Sequence, residues 1–471
     1  MTRSRIVVVG GGITGLATAW YLRHGLDPER GDRGVVPEVT VLEASDRLGG
    51  KIAGATLEGT PLDVGADAFL ARRPEAERLA RRLGLGDDLV APATGQVWLW
   101  VRGRLRPLPT GTVMGVPGDL RALARSGILT PTGLVRAGLE PLLPRRRRAG
   151  DRSVGEHVTR RFGADVTDVL VEPLLGGVYA GRADRLSLEA AAPAVADADR
   201  SRSLLAGMRA QTRQARGDDR PVFLTVAGGL GRMVDALADG LEDARTGAVV
   251  TGLAVADAGG VEVLLGDGSR IAADDVVLTV PAYAAAPLVA PVVPAAARLL
   301  AGIPYASVAV VSLAYPAGVA DGFPRGSGML VPPSEGRLVK AATWSSRKWP
   351  HLADRDRFLL RASVGRIDDR RWEDLDDTEL TARVVAEIGE ATGTHVAPVA
   401  GRVTRWERSL PQYEVGHARR VRDVRDAVRV RAPWLHVAGA AYDGVGLAPC
   451  VAQAEALAGG LTGDRTGRPR D

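Results

Sequence analysis

The chain has 471 residues and a net charge of +5, the balance of 61 Lys and Arg against 56 Asp and Glu. Its length exceeds one ordinary core and predicts two or three domains, and a composition 45% apolar and 25% charged is that of a globular protein. No apolar run reaches the ~18 residues of a membrane helix, the acids are spread almost as densely as the arginines with no nucleic-acid-binding pattern, and Cys450, the only cysteine, excludes an internal disulfide. These features predict a cytoplasmic protein with no nucleic-acid partner and at most a peripheral membrane contact. Six histidines without H-x-x-x-H or H-E-x-x-H spacing predict no metal, and the absence of G-x-S-x-G argues against a serine hydrolase.

Residues 5–22, RIVVVGGGITGLATAWYL, begin with an arginine and an apolar run, as a signal peptide does. The run stops after Val9 at Gly10, Gly11 and Gly12, which would ruin a signal helix; a strand, a glycine turn and a helix fit instead. Gly10, Gly12 and Gly15 make G-x-G-x-x-G. The first allows the tight turn, the second lets the backbone approach a pyrophosphate, and the third lets the helix lie close to the strand. The next apolar strand, Val39–Leu42, ends on Glu43, the acid that would bind ribose hydroxyls. Glu43 lies 28 positions beyond Gly15 rather than the usual ~20, and the polar insert 24–37 accounts for the excess as a loop.

Further along, 98–108 reads as a hairpin. Residues 115–215 are mostly helical in pattern, with apolar positions at three-to-four spacing. Within them Arg145–Arg148 reads as a solvated loop, weak attraction to anionic lipid being the alternative. Thr225–Leu230 with 233–241 repeats the strand, turn and helix, and strands near 248–255, 261–265 and 276–280 follow. Ser307–Tyr315 and Phe358–Val364 are strands of a β-rich stretch interrupted by a helix, Asp377–Thr392, with acids at its start. Leu435–Gly439 is a short strand ending in a glycine turn, with the helix Pro449–Leu457 behind it. A strand–glycine–helix unit at each end predicts that both ends meet at one ligand. The fold class is therefore α/β plus α+β. A Rossmann-like nucleotide-binding domain (1–85, 216–285 and 431–471) is expected with a β-rich substrate domain (86–114 and 286–430) and an inserted helical domain (115–215).

The segments VVVGGGITGLATAWYL, VLEASDRLGGKI, LDVGADAFLARRPEA, EPLLGGVYAGRADRLSL, TWSSRKWPH, RWERSLPQYEVGHARRV and VAGAAYDGVGLAPCVAQA carry a resemblance. From end to end the chain resembles the FAD-dependent porphyrinogen oxidases of haem synthesis, in the Gram-positive coproporphyrinogen III oxidase branch. The glycine turn and R-L-G-G are shared with amine oxidases and carotenoid desaturases and mark only the superfamily. LLGGVYAGRADRLSL and LPQYEVGH are more specific. The resemblance implies an FAD enzyme that removes six electrons from coproporphyrinogen III to give coproporphyrin III, with three O2 consumed and three H2O2 released. It also implies a cytoplasmic location, soluble or loosely membrane-associated, and a ferrochelatase as downstream partner. The other readings are a protoporphyrinogen IX oxidase, a flavin amine oxidase or polyene desaturase, and a flavin or porphyrin carrier without turnover. Few aromatics, 4% of residues, and many cations suit a polyanionic substrate better than an amine.

Carried over by position, the resemblance implies that Gly10, Gly11, Gly12, Ile13, Thr14 and Gly15 hold the FAD pyrophosphate, and Glu43, with Ala44 beside it, the ribose. Arg47, Gly49, Gly50 and Lys51 should pass beside the phosphates and ribityl chain, and Gly65, Ala66, Asp67 and Ala68 along the flavin ring. Val250 should contact the adenine through its backbone. Trp406, Gly439, Val445, Gly446 and Leu447 should close the flavin end. Hydride leaves a saturated CH2 bridge for the flavin, so no catalytic side chain is predicted, but four propionates call for cations. Lys51, Lys340 and Lys348 are the only lysines in a chain crowded with arginine, which marks them as candidate propionate ligands; chance and packing are the plain alternative. Arg72, Arg347 and Arg361 are the arginine candidates. Tyr179 either shapes the macrocycle pocket or anchors packing, as does Tyr442, and His417 is either a proton acceptor or structural. Two departures from the family pattern stand out: Gly446-Leu447-Ala448-Pro449-Cys450 replaces Gly-Leu-Pro-Asp-Cys, and Arg182 stands where an acid is expected.

Overall fold

The computed structural model describes residues 3–26, 36–144, 150–216, 220–255 and 260–463. Most of the insert expected over 24–37, and the run Arg145–Arg148, lie outside the described residues. The strands RIVVV (Arg5–Val9), EVTVL (Glu38–Leu42) and DVVL (Asp275–Leu278) are short runs of β-branched residues, buried almost throughout. Such runs suit a parallel sheet covered on both faces. They form the middle of a five-stranded sheet in the order Ala244–Arg245, Glu38–Leu42, Arg5–Val9, Asp275–Leu278, Leu435–Val437, parallel throughout. Helices Ile13–His24, Gly231–Asp239 and Leu447–Gly463 cover one face. Helices Ala282–Val289, Pro294–Ala301 and His417–Arg431 pack against the other, together with an antiparallel sheet of Val250–Val255, Val261–Leu265 and Arg270–Ala273. The fold class is Rossmann-like, and the strands and helices that build its sheet come from both ends of the chain and its middle.

The strand at Phe223–Val226 does not join this sheet. It pairs antiparallel with Phe69–Leu70 and Leu89–Val90 in a small sheet of its own, and the turn after it, through Gly228 and Gly229, both at positive φ, leads into the helix Gly231–Asp239 that packs on the main sheet. The last helix starts two residues before the position expected from sequence and runs to Gly463; Pro449 sits in the first turn, where its missing N–H costs nothing.

A second, seven-stranded sheet is ordered Ala400–Pro411, Tyr305–Pro316, Arg357–Val364, Val339–Thr343, Gly328–Leu330, Val97–Val101, Arg104–Pro107. The 97–107 hairpin attaches to it through a parallel pairing of Gly328–Leu330 with Val97–Val101. The helix Asp377–Thr392, opened by an Asp376/Glu379 capping box, packs on one face. Short helices between Leu120 and Arg216 form a third core, interrupted by a π-helical turn at Thr167–Val171.

That third core contains a fully buried acid. Glu140 accepts from Arg161 and from the backbone N–H groups of Leu204 and Leu205, which start the helix Leu204–Arg216. Removing one member of such a set strands the others without water. Glu140→Ala is expected to cost about 3–5 kcal/mol, read as a drop in denaturation midpoint, and an unchanged midpoint would show that the cluster relaxes instead.

Candidate cofactor and active site

The parallel strands Arg5–Val9 and Asp275–Leu278 end at a cleft of about 520 Å³, the size of a cofactor site. Parallel sheets place ligands at the carboxyl ends of their strands. The glycine turn forms its floor. Gly10 has φ of +112°, and a Cβ on Gly15 would fall 2.0 Å from the Gly10 carbonyl oxygen, so helix Ile13–His24 touches the strand only because position 15 lacks a side chain. At Gly12 a Cβ would meet no protein atom within 4 Å; it would point into open space over the cleft.

Glu43 takes the Gly11 N–H at 2.7 Å through one carboxylate oxygen and the Ser45 N–H and hydroxyl through the other. It lines the cleft with acceptor capacity left, as ribose recognition requires. The R-L-G-G-K turn is tied to the same floor, because Gly49 N–H donates to the Gly11 carbonyl at 2.8 Å. Arg47 donates to the carbonyls of Leu48, Gly50 and Ile52, so its guanidinium shapes this turn and does not line the cleft. At the far wall, Trp406 donates to the Val64 carbonyl at 2.9 Å, and Ala66 N–H bonds the Lys51 carbonyl at 3.0 Å. Val445, Gly446 and Leu447, at the start of the last helix, complete that end.

The cleft is thus lined by Gly10, Gly12, Ile13, Thr14, Glu43, Ala44, Gly49, Gly50, Lys51, Ala66, Val250, Trp406, Val445, Gly446 and Leu447. Gly11, Gly15, Gly65 and Gly439 stand just behind this lining. A Cβ on Gly65 would fall 2.1 Å from the Lys51 carbonyl oxygen, and the Gly439 N–H donates to Gln453. Asp67 and Ala68 continue the 64–68 loop away from the cleft. Sequence reasoning missed Thr279, whose hydroxyl reaches the carbonyls of Val9 and Gly10 at 3.1 and 2.9 Å and braces the glycine turn. It also missed Tyr283, Tyr305 and Arg408, which line the cleft as well. Thr279 follows the Asp275–Leu278 strand directly, so its position at a strand's carboxyl end was the available signal.

The candidate propionate ligands scatter. Arg72 is exposed, with no partner among the described residues. Arg347 gives its guanidinium to the carbonyls of Ala320, Phe323 and Pro324, which ties down a loop. Lys348 and Arg361 both face Asp67, at 3.7 and 3.5 Å. Burial works to raise the Asp67 carboxyl, but Lys348 and Arg361 hold it below its ordinary value. Lys340 is 3% exposed and donates to the Gly365 carbonyl at 2.9 Å. Tyr179 is buried against Tyr413, with ring centroids 5.6 Å apart. His417 stacks on Tyr413 at 4.0 Å and reaches the Tyr442 carbonyl, and burial pulls its imidazole down to about 4, so the ring is neutral at physiological pH. Arg182 pairs with Glu172 and Asp368.

Because Asp67 joins two cations across the seam between the sheets, Asp67→Asn is expected to destabilise by about 1–2 kcal/mol at neutral pH, discounted for a side chain that keeps 30% exposure. The wild-type advantage is present above the unfolded carboxylate range and fades as pH falls through the lower folded value. Thermal melts of both proteins from neutral to acid pH check this, and a gap that persists in acid would refute it.

A glycine turn beneath a strand-end cleft, an acid at the ribose position and open space where a phosphate must approach define a dinucleotide-binding oxidoreductase, and the residues present fit FAD. The sequence matches the flavin containing amine oxidoreductase family over residues 13–459. It is 35% identical to coproporphyrinogen III oxidase of Bacillus subtilis (strain 168), over 96% of this chain and 97% of that one. It is 38% identical to the enzyme of the same name from Mycobacterium bovis, over 96% of each. A crystal structure of a putative protoporphyrinogen oxidase from Exiguobacterium sp. 255-15 superposes with a TM-score of 0.86 at 32% identity, covering 99% of this chain and 100% of that one. The chain belongs to the flavin-containing amine oxidoreductases and, within them, to the coproporphyrinogen III oxidase family. Its cofactor is FAD.

Proposed function

We propose that this protein oxidises coproporphyrinogen III to coproporphyrin III in haem biosynthesis, removing six electrons and six protons while three O2 become three H2O2. The observation that carries the reading is near full-length similarity to relatives of that name, on a chain that keeps an intact FAD cleft. FAD, when bound, supplies the electron acceptor for C–H oxidation at the saturated bridges of the macrocycle. The chain's own part is positioning. Glu43 and the glycine turn seat the cofactor, and Trp406 and the 445–447 turn bound its ring end. Of the candidate cations outside the cleft, Arg72, exposed and without a partner among the described residues, is the one left to receive a propionate. No side chain acts as nucleophile. The same reading places the enzyme in the cytoplasm. No described helix is long and apolar enough to cross a membrane. A transient contact with a ferrochelatase, which takes the product, belongs to the same reading.

The test is aerobic turnover of FAD-loaded protein with coproporphyrinogen III and protoporphyrinogen IX offered separately, porphyrin fluorescence being followed alongside H2O2. Faster turnover of the four-propionate substrate supports the reading. Preference for protoporphyrinogen IX would reassign the substrate, and no fluorescence with either would return the search to amines, polyenes or a carrier role.

A further inference from the structure

Lys51 closes the R-L-G-G-K turn and lines the FAD cleft. Its carbonyl is held by Ala66 N–H, and the titratable group beside its ammonium is Cys450, in the first turn of helix Leu447–Gly463. Trp406 and the 445–447 turn line the same cleft, and the Lys51 carbonyl lies against Gly65 and Ala66 of the 64–68 loop. Among the described residues no carboxylate pairs with Lys51. Burial keeps the neighbouring thiol protonated, with the Thr14 hydroxyl bonded to it, so Cys450 supplies no counter-charge. The carboxylates lining the cleft are Glu43, which accepts from Gly11 and Ser45 and is not within ion-pair distance of Lys51, and the exposed Glu407. A partly buried ammonium without an anion is costly unless an anion arrives, and desolvation already draws Lys51 below the ordinary lysine value. The helix end adds partial positive charge from its first-turn amides at the same place.

We infer that Lys51 and the N terminus of helix Leu447–Gly463 form an electropositive pole that holds negative charge on the ring of bound FAD, and that Lys51 is not a propionate ligand. Two electrons taken with one proton leave the ring with one negative charge; a fixed cation stabilises that charge while the second proton goes to solvent. The inference rests on FAD as cofactor and not on which porphyrinogen is oxidised. Lys51 is here a positioning charge.

Sulfite, an anion that adds to an oxidised flavin ring and bleaches its visible absorption, probes this pole without any porphyrinogen. Wild type, Lys51→Met and Lys51→Arg are titrated with sulfite at saturating FAD, and their midpoint potentials are measured with reference dyes. The expected result is a sulfite dissociation constant raised roughly tenfold or more in Lys51→Met, a lower potential, and recovery of both in Lys51→Arg. Equal sulfite affinity in wild type and Lys51→Met would overturn the inference. So would failure of both Lys51→Met and Lys51→Gln to hold FAD at saturation, since Lys51 would then be a cofactor anchor. If wild type turns over neither porphyrinogen but the sulfite difference remains, the proposed reaction fails and the pole stands.

Discussion

Gly12→Ala and Gly15→Ala are expected to weaken FAD retention by different routes, and the pair separates a steric block to the cofactor from damage to the fold. At Gly15 the new methyl lies 2.0 Å from the Gly10 carbonyl oxygen and 2.7 Å from the Thr279 hydroxyl. Neither can retreat, because Thr279 is bonded to the backbone of both Val9 and Gly10. The helix must lift from the strand, at a cost of about 3 kcal/mol or more, so the apo protein should melt earlier and elute without flavin absorbance. At Gly12 the backbone lies at φ −74° and ψ 175°, a conformation open to any residue, and a methyl meets no protein atom. Gly12→Ala should therefore keep the melting temperature of the wild-type apo protein while FAD affinity falls by more than about tenfold, the equivalent of 1.4 kcal/mol. Retained FAD in Gly12→Ala, measured by absorbance after gel filtration, would show that the cofactor does not approach the turn there.

The second large effect concerns stability. Lys340 is buried beside Arg361 and Arg366, with the Gly365 carbonyl as its hydrogen-bond acceptor. Burial, followed by repulsion from Arg366 and Arg361, lowers its ammonium to about 7. A lysine whose folded value lies below its unfolded one binds its proton more readily when unfolded. Its penalty is therefore complete below about pH 7 and fades as pH rises toward the unfolded value near 10.4. Lys340→Met, which keeps the stem and removes the charge, is expected to be more stable than wild type by roughly 2 kcal/mol at pH 7 after the lost bond to Gly365 is allowed for. The gap should fall below about 1 kcal/mol near pH 10. Denaturant melts across this range test the sign. A destabilised Lys340→Met with a gap independent of pH would mean that the ammonium is satisfied in the native state. A raised KM without loss of kcat would restore Lys340 as a propionate ligand.

Much of the cleft was legible in one dimension because its contacts are local. The spacing of Gly10, Gly12 and Gly15, a strand ending in Glu43, and a glycine turn before the last helix each encode a backbone shape within a few residues. All of them border one cleft except Gly15, which stands just behind its lining. The hairpin near 98–108 and the helix 377–392 were legible for the same reason, as short-range turns and a capped helix.

What the sequence could not reveal is which charges have partners. Composition singled out three lysines, yet Lys348 faces Asp67, Lys340 lies buried beneath its own sheet and Lys51 alone lines the cleft. Arg347 and Arg361 looked equivalent to each other as candidate propionate ligands, but the first is consumed by three carbonyls and the second spans the seam between the sheets to the 64–68 loop. Thr279, Tyr283, Tyr305 and Arg408 reach the cleft from segments that carry no motif. Sequence by itself determined the cofactor-binding turn, the family and the Rossmann-like class, because those reside in glycine spacing and hydrophobic runs. Only the tertiary structure decided the fate of each cation, because an ion's partner is set by segments far apart in the chain, 296 residues in the case of Arg361 and Gly65 and 377 in that of Arg78 and Glu455, and by how much water the packing leaves around it.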